Sequence, residues 1–275
     1  MAQLDVIPVS DYIGAEIRGI DLSAAIEPGT ADHLRRALAD HGVIFFRDQE
    51  ITPDQHLALA RLFGKPILVS KHATSVPGYP EMSEVSKAED QYDNIGGGWH
   101  ADLTFHERPP ALAILVAREL PERGGDTLFA GMAAAFEGLS PGLRDMLRSL
   151  RAIHGNERVL RSSRRKKFTD EFSPEVSHPV VIRHPLTGRE SLFINAAYTL
   201  RFDGWTERES APLLEFLKVH GQKPEYQCRF QWRPGSIAIW DNIQVWHYAA
   251  NDYQGRRRFM HRVAVEGGSL IPAGA

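Results

Sequence analysis

The chain has 275 residues, enough for one large core, and its 32 basic and 35 acidic side chains leave a formal charge of −3. That balance lacks the basic excess of nucleic-acid or anionic-membrane binders, and 43% hydrophobic with 24% charged residues excludes disordered and fibrous classes. Cys228 is the only cysteine, which excludes an intrachain disulfide or a cysteine-built metal cluster and suits a reducing cytoplasm.

At the N-terminus, Asp5 and Pro8 precede any apolar run, so no export signal is read, and no stretch reaches the ~18 apolar residues of a membrane span. Residues 30–40 have helical apolar spacing, with Thr30 as N-cap and Gly42 just past the end. Residues 43–46, Val-Ile-Phe-Phe, read as a buried strand. Thr52 and Pro53 open a second helix that closes at Gly64. From 69 to 99 the chain shows no sustained period and ends in Asn94-Ile-Gly-Gly-Gly-Trp99, which reads as an irregular active-site loop. Strands are then expected at 111–120, 126–130, 178–184, 191–195, 226–232, 236–241 and 258–266. Helices at 132–139, 142–150 and 206–220 interrupt them, and a second irregular loop falls at about 155–177. No repeat or linker divides the sequence, so residues 1–275 are expected to form one mainly-β domain, a barrel or sandwich with flanking helices.

Twelve histidines are too many to interpret singly, so spacing must select among them. In His100-Ala101-Asp102, an extended run over 99–105 would put the imidazole and the carboxylate on one face. His247 is the candidate third ligand, because it follows an apolar strand ending at Asp241 and sits just before the next strand. His154, His178, His184 and His261 compete with it. Two histidines and one carboxylate make the facial triad of non-haem Fe(II) enzymes, which leaves three positions open; zinc accepts the same ligands. In Arg258-Phe-Met-His-Arg262, strand alternation places both arginines on one side. A buried guanidinium needs a partner, either an internal acid or the carboxylate or sulfonate of a small molecule.

Four motifs together, Trp99-His100-Ala101-Asp102, Gly124-Gly-Asp-Thr127, Trp240-Asp-Asn with His247-Tyr-Ala, and Arg258-Phe-Met-His-Arg262, resemble the taurine/2,4-dichlorophenoxyacetate dioxygenase family. The resemblance covers nearly the whole chain. It implies a double-stranded β-helix, or jelly roll, that uses Fe(II), 2-oxoglutarate and O2. His100, Asp102 and His247 would be the iron ligands, Thr127 and Arg258 would hold the distal carboxylate of 2-oxoglutarate, and Arg262 would meet an acidic group of the prime substrate. Retention of Asp102 favours hydroxylation over halogenation. The implied substrate is a small anionic organic compound, with C–O or C–S cleavage where the hydroxylated carbon bears a heteroatom.

The chain departs from the taurine-type pattern where a sulfonate-contacting histidine falls on Val69, a tyrosine on His72 and an asparagine on Gly96. An aryloxyalkanoate, an alkyl sulfate or another small sulfonate is therefore as good a candidate as taurine. Tyr198 matches an aromatic pocket residue of the family. Six basic residues within 158–167 are read as a solvated lid that steers anions, not as a nucleic-acid patch. A homo-oligomer is expected. Two other readings stand beside the dioxygenase: a zinc-dependent hydrolase on the same ligands, which gives Arg258 and Thr127 no task, and a non-catalytic barrel that binds a small acid.

Overall fold

The computed structural model describes residues 4–68, 73–162 and 173–274. Its largest sheet has nine strands. Along the main path they run Asp5–Pro8, Ala15–Arg18, Val43–Phe46, Ile237–Asp241, Leu112–Glu119, Arg258–Val265, Tyr79–Lys87 and Ser75–Val76, and Pro66–Ile67 adds to the far end of Arg258–Val265. A second sheet, ordered Gln227–Phe230, Thr127–Gly131, Val245–Ala249, faces it. Pairing is antiparallel throughout, except that Ala15–Arg18 runs parallel to Val43–Phe46.

Period-two alternation explains the layers. Val43, Phe45, Ala113, Leu115, Ala238, Trp240 and Met260 point inward and meet Phe129 and Phe230 of the second sheet. Phe45 stacks on Phe230 with centroids 4.2 Å apart and planes 6° from parallel. Ile44, Phe46, Ile114, Val116, Ile237, Ile239, Val263 and Val265 face the other way, under the helices Pro28–His41 and Pro53–Arg61. The inner space left by the aromatic layer is where the polar residues of the site project. A third core lies beside the second sheet, where the helices Met132–Glu137 and Glu207–Gly221 cover strands of the 151–202 region.

Several sequence expectations change. The first helix is capped at Glu27 with Pro28 at its first position, so Thr30 lies inside the helix; Gly42, at φ 71°, ends it as expected. Thr52 forms the full capping box with Gln55. Residues 69–99 are not wholly irregular: the nine-residue strand Tyr79–Lys87 pairs with Arg258–Val265. Its Glu81, Glu84 and Lys87 hid the alternation, although Met82, Ser83 and Lys87 are buried. The second loop contains the helix Glu157–Ser162 and the start of Val176–Pro179. Of the basic run, residues 163–167 lie outside the described residues, while Arg158 bonds the carbonyl of Leu200 and the carboxylate of Glu207 and so ties structure together.

His56, on Pro53–Arg61, is fully buried against Arg118 and His261. Burial first, then these two neighbours, push its pKa down to about 3, whereas an unfolded histidine titrates near 6.5. The unfolded chain therefore binds the extra proton as pH falls below 6.5, so the stability held above that value is lost toward pH 3. Between pH 7 and pH 5 His56 should cost roughly 2 kcal/mol of stability. Denaturant melts of the wild type and of His56→Gln at both values check this; equal pH slopes would refute it.

Candidate active site

Main-chain pairing brings the two histidines together. His100 forms a bridge to His247 through reciprocal bonds, His100 N–H to the His247 carbonyl at 3.1 Å and His247 N–H to the His100 carbonyl at 2.8 Å. Their rings lie side by side with centroids 4.1 Å apart. His247 is itself within the strand Val245–Ala249, not in the connection between strands. The expected extended run over 99–105 is also corrected. Only His100 is strand-like, and the chain then turns through Leu103, a non-glycine residue at φ 50°. That turn, and not strand alternation, swings Asp102 toward the rings.

The result is a compact triad. Asp102 Oδ1 lies 3.7 Å from His100 Nε2 and 3.9 Å from His247 Nε2, and one donor atom from each residue falls within 4.8 Å of the others. The carbonyl of Gly98 accepts from His100 Nδ1 at 2.7 Å, which fixes the tautomer and leaves the Nε2 lone pair aimed inward. Burial, reinforced by His100, holds His247 well below the usual imidazole range, so it is neutral. Burial raises the Asp102 carboxyl, but Arg262, His247 and His100 outweigh it and keep the group ionised. Neutral imidazole and carboxylate are the forms in which these side chains bind a metal ion.

Two buried asparagines brace the turn. Asn242 accepts from the Asp102 N–H at 2.7 Å and donates to the carbonyls of Asp102 at 2.9 Å and Pro110 at 3.0 Å. Asn195 donates to the Ala101 carbonyl at 2.8 Å. The competing histidines have other partners. His154 bonds Thr104 and Thr199, His178 the His106 carbonyl, His184 the carboxylate of Asp241, and His261 receives from Arg118.

Arg258 is 4% exposed, yet its Nε and Nη2 find no hydrogen-bond partner among the described residues. It lies beside Trp232, whose Nε1 donates to Thr127 Oγ1 at 2.9 Å, with Cζ 5.7 Å from the Trp232 ring. Having accepted that bond, the Thr127 hydroxyl keeps its own hydrogen to donate. Gly125, at φ 72°, makes the room: a Cβ there would sit 3.1 Å from Arg258 Cδ. A buried guanidinium with unpartnered nitrogens costs several kcal/mol, so Arg258 is an expensive feature of this fold.

A profile described as taurine catabolism dioxygenase TauD, TfdA family matches residues 5–264. The chain belongs to the TauD/TfdA family. It is 36% identical to an alpha-ketoglutarate-dependent sulfate ester dioxygenase of Pseudomonas putida, over 99% of this chain and 92% of that one. It is 34% identical to an alkylsulfatase of Acinetobacter baylyi, over 96% and 86%. A crystal structure of a taurine dioxygenase from Burkholderia xenovorans superposes with TM-score 0.85 at 34% identity, covering 99% of this chain and 92% of that one. The fold is thus the jelly roll of this family, and the chain is a dioxygenase dependent on 2-oxoglutarate, which is alpha-ketoglutarate by its other name.

Arg262 Nη1 lies 3.4 Å from both oxygens of Asp102, so in this structure it faces the triad carboxylate. The Tyr198 ring packs edge-on against Phe105 at 4.9 Å, just past the turn that carries Asp102. His72 and Val69 lie outside the described residues. Gly96, at φ 81°, lies close against the His100 ring: a Cβ there would be 3.2 Å from His100 Cε1. Sequence reading passed over Asn242, Asn195 and Trp232. Asn242 was visible as a polar residue directly after an apolar strand, within the quoted Trp240-Asp-Asn motif.

Asn242→Ala removes both arms of the clamp on Asp102 while touching no ligand atom. Fe(II) affinity should fall about 10–100-fold, as for other partners that orient a metal ligand. Anaerobic metal titration measures it, and an affinity within twofold of wild type would show the clamp to be dispensable.

Proposed function

We propose that this chain is an Fe(II)-dependent member of the family that hydroxylates a small organic anion, with sulfate esters and sulfonates as the preferred class and aryloxyalkanoates next. His100 Nε2, Asp102 and His247 Nε2 would hold the metal, and Arg258 with the Thr127 hydroxyl would bind the distal carboxylate of 2-oxoglutarate. Together the ferrous ion and 2-oxoglutarate supply oxidative decarboxylation by O2, coupled to hydroxylation of a substrate C–H bond. The protein's own contribution is positional. Asn242 and Asn195 fix the turn, Gly98 fixes the His100 tautomer, and the aromatic layer behind Trp240 keeps the site dry.

One observation carries this reading. A triad of metal-binding side chains and a buried guanidinium with two unpartnered nitrogens are linked through one strand: Arg262, four residues from Arg258 and so on the same strand face, reaches Asp102 at 3.4 Å. The substrate class is supported by Arg262, a cation beside the triad, and by the names of the relatives, an alkylsulfatase and a sulfate ester dioxygenase. With an alkyl sulfate, hydroxylation at the carbon bearing the ester oxygen gives an adduct that collapses to a carbonyl compound and free sulfate. Tyr198, and His72 through its place in the family pattern, would shape the pocket for the organic part.

The test is anaerobic reconstitution with Fe(II) and 2-oxoglutarate, read by the visible charge-transfer band, followed by O2 and a panel of alkyl sulfates, sulfonates and aryloxyacids read by succinate. Lack of the band in folded protein would defeat the metal and co-substrate assignment. Succinate release equal with and without every panel member would defeat the substrate class.

A further inference from the structure

Lys87 is the last residue of Tyr79–Lys87, is 1% exposed, and lies opposite Arg258 in the strand register. Paired residues of neighbouring strands share a face, so two cations stand side by side in the interior, an arrangement that is destabilising unless something else requires it. The Lys87 ammonium is fully used. It donates to Asn251 Oδ1 at 2.8 Å and Gln254 Oε1 at 2.9 Å, and lies 4.4 Å from the centre of the Tyr253 ring.

Those partners reach in two directions. With their oxygens committed to Lys87, both carboxamides present their NH2 groups to one acceptor, the Tyr92 carbonyl, at 2.7 Å from Asn251 and 3.2 Å from Gln254. The same stretch is sewn to its neighbour further on, where Asn94 donates to the Ala249 carbonyl and the Ala249 N–H donates to the Gly96 carbonyl, each at 2.9 Å. Residues 92–96 thereby end over His100. In the other direction, Tyr253 is 2% exposed and flanks Arg258: both approach the Cβ direction of Gly125 to within 3.3 Å.

We propose that Lys87 is a positioning residue that couples the 2-oxoglutarate anchor Arg258 to the 92–96 segment over His100, acting through Tyr253 and the Asn251 and Gln254 carboxamides. The coupling rests on the co-substrate reading of Arg258 given above. Lys87 needs no contact with 2-oxoglutarate for this. Replacing its ammonium removes the shared donor from the half-buried Asn251 oxygen and the Gln254 oxygen, frees both carboxamides to flip, and withdraws the Tyr92 carbonyl from its donors.

Lys87→Met keeps the volume and removes the donor. Two quantities are measured: hydrogen exchange of amides 88–98 in the metal-free full-length protein, and the affinity for 2-oxoglutarate from the charge-transfer band with Fe(II) under anaerobic conditions. Exchange of 88–98 should quicken about tenfold, with amides 112–119 unchanged, and 2-oxoglutarate should bind about fivefold more weakly. Lys87→Arg, which retains a cationic donor, should restore much of both. A purely structural lysine would instead quicken exchange throughout the sheet and leave the affinity alone. Either quantity staying within twofold of wild type in Lys87→Met overturns the coupling. Should Lys87→Met fail to fold, Gln254→Leu breaks one of the two arms and is read in the same way. If the wild type itself gives no band, the co-substrate reading has failed, and the exchange measurement still decides whether Lys87 holds the segment.

Discussion

His247→Ala is expected to abolish substrate-dependent succinate release and to weaken Fe(II) binding beyond the roughly 10–100-fold that loss of an outer partner costs. On the proposed reading the imidazole would supply one of three donors, and no other His, Cys, Asp or Glu joins the group among the described residues. Its ring is buried, and burial holds its pKa well below the usual imidazole range, so the neutral, metal-binding form prevails near neutral pH. The variant should still fold, because the pairing of residue 247 with His100 and with Phe129 is made by main-chain atoms that alanine retains. Removing the ring leaves Asp102 between His100 and Arg262, and the Arg262 ion pair would then compete with metal for the carboxylate. Metal titration and a thermal melt decide the matter together. Stoichiometric, tight Fe(II) binding by a well-folded His247→Ala protein would show that the triad is not the metal site.

H-x-D alone recurs too often by chance to single out a site among twelve histidines; the grouping of His100, Asp102 and His247 was legible because three further motifs of the family accompany it in order. What could not be read was how the three meet. An extended segment would have satisfied the same spacing, yet the chain reverses at Leu103, and it can do so because Asn242 and Asn195 bind the main chain on both sides of Asp102. Such clamps join residues far apart in sequence, 140 positions in the case of Asn242 and Asp102, and leave no local period. The strands of the inner and outer layers, such as Val43–Phe46 and Ile237–Asp241, announced themselves through continuous apolar runs buried on both faces. Tyr79–Lys87 did not, since Glu81 and Lys87 share one face with Val85 while Glu84 and Ser86 share the other with Met82, so neither face reads as apolar. Lys87 thus hid the strand for the same reason that it matters to the site. The first-helix cap was misplaced by a weaker error: Thr30 has the right chemistry, but Pro28 begins the helix two residues earlier.

Arg258→Met should divide function from stability, with opposite signs. In the protein without co-substrate, Arg258 is buried and two of its nitrogens lack partners among the described residues, while Asp126, an acid that acts on it, is committed to Arg229 at 2.6 Å. Lys87 lies across the register from it, adding a like charge. Replacing the guanidinium by a thioether of similar reach removes an uncompensated charge from a site walled by Trp232 and Tyr253, so the metal-free protein should gain about 1–3 kcal/mol of stability. The affinity for 2-oxoglutarate should fall in the same variant. A charge-assisted pair with a carboxylate in a dry site is worth about 3–4 kcal/mol on truncation, or roughly 10²–10³-fold in affinity at 1.4 kcal/mol per decade. The charge-transfer titration should therefore shift to much higher 2-oxoglutarate, while the metal site, untouched, binds Fe(II) as before. A melting temperature that falls, joined to an unaltered 2-oxoglutarate requirement, would mean that Arg258 is an ordinary structural cation whose partner lies elsewhere.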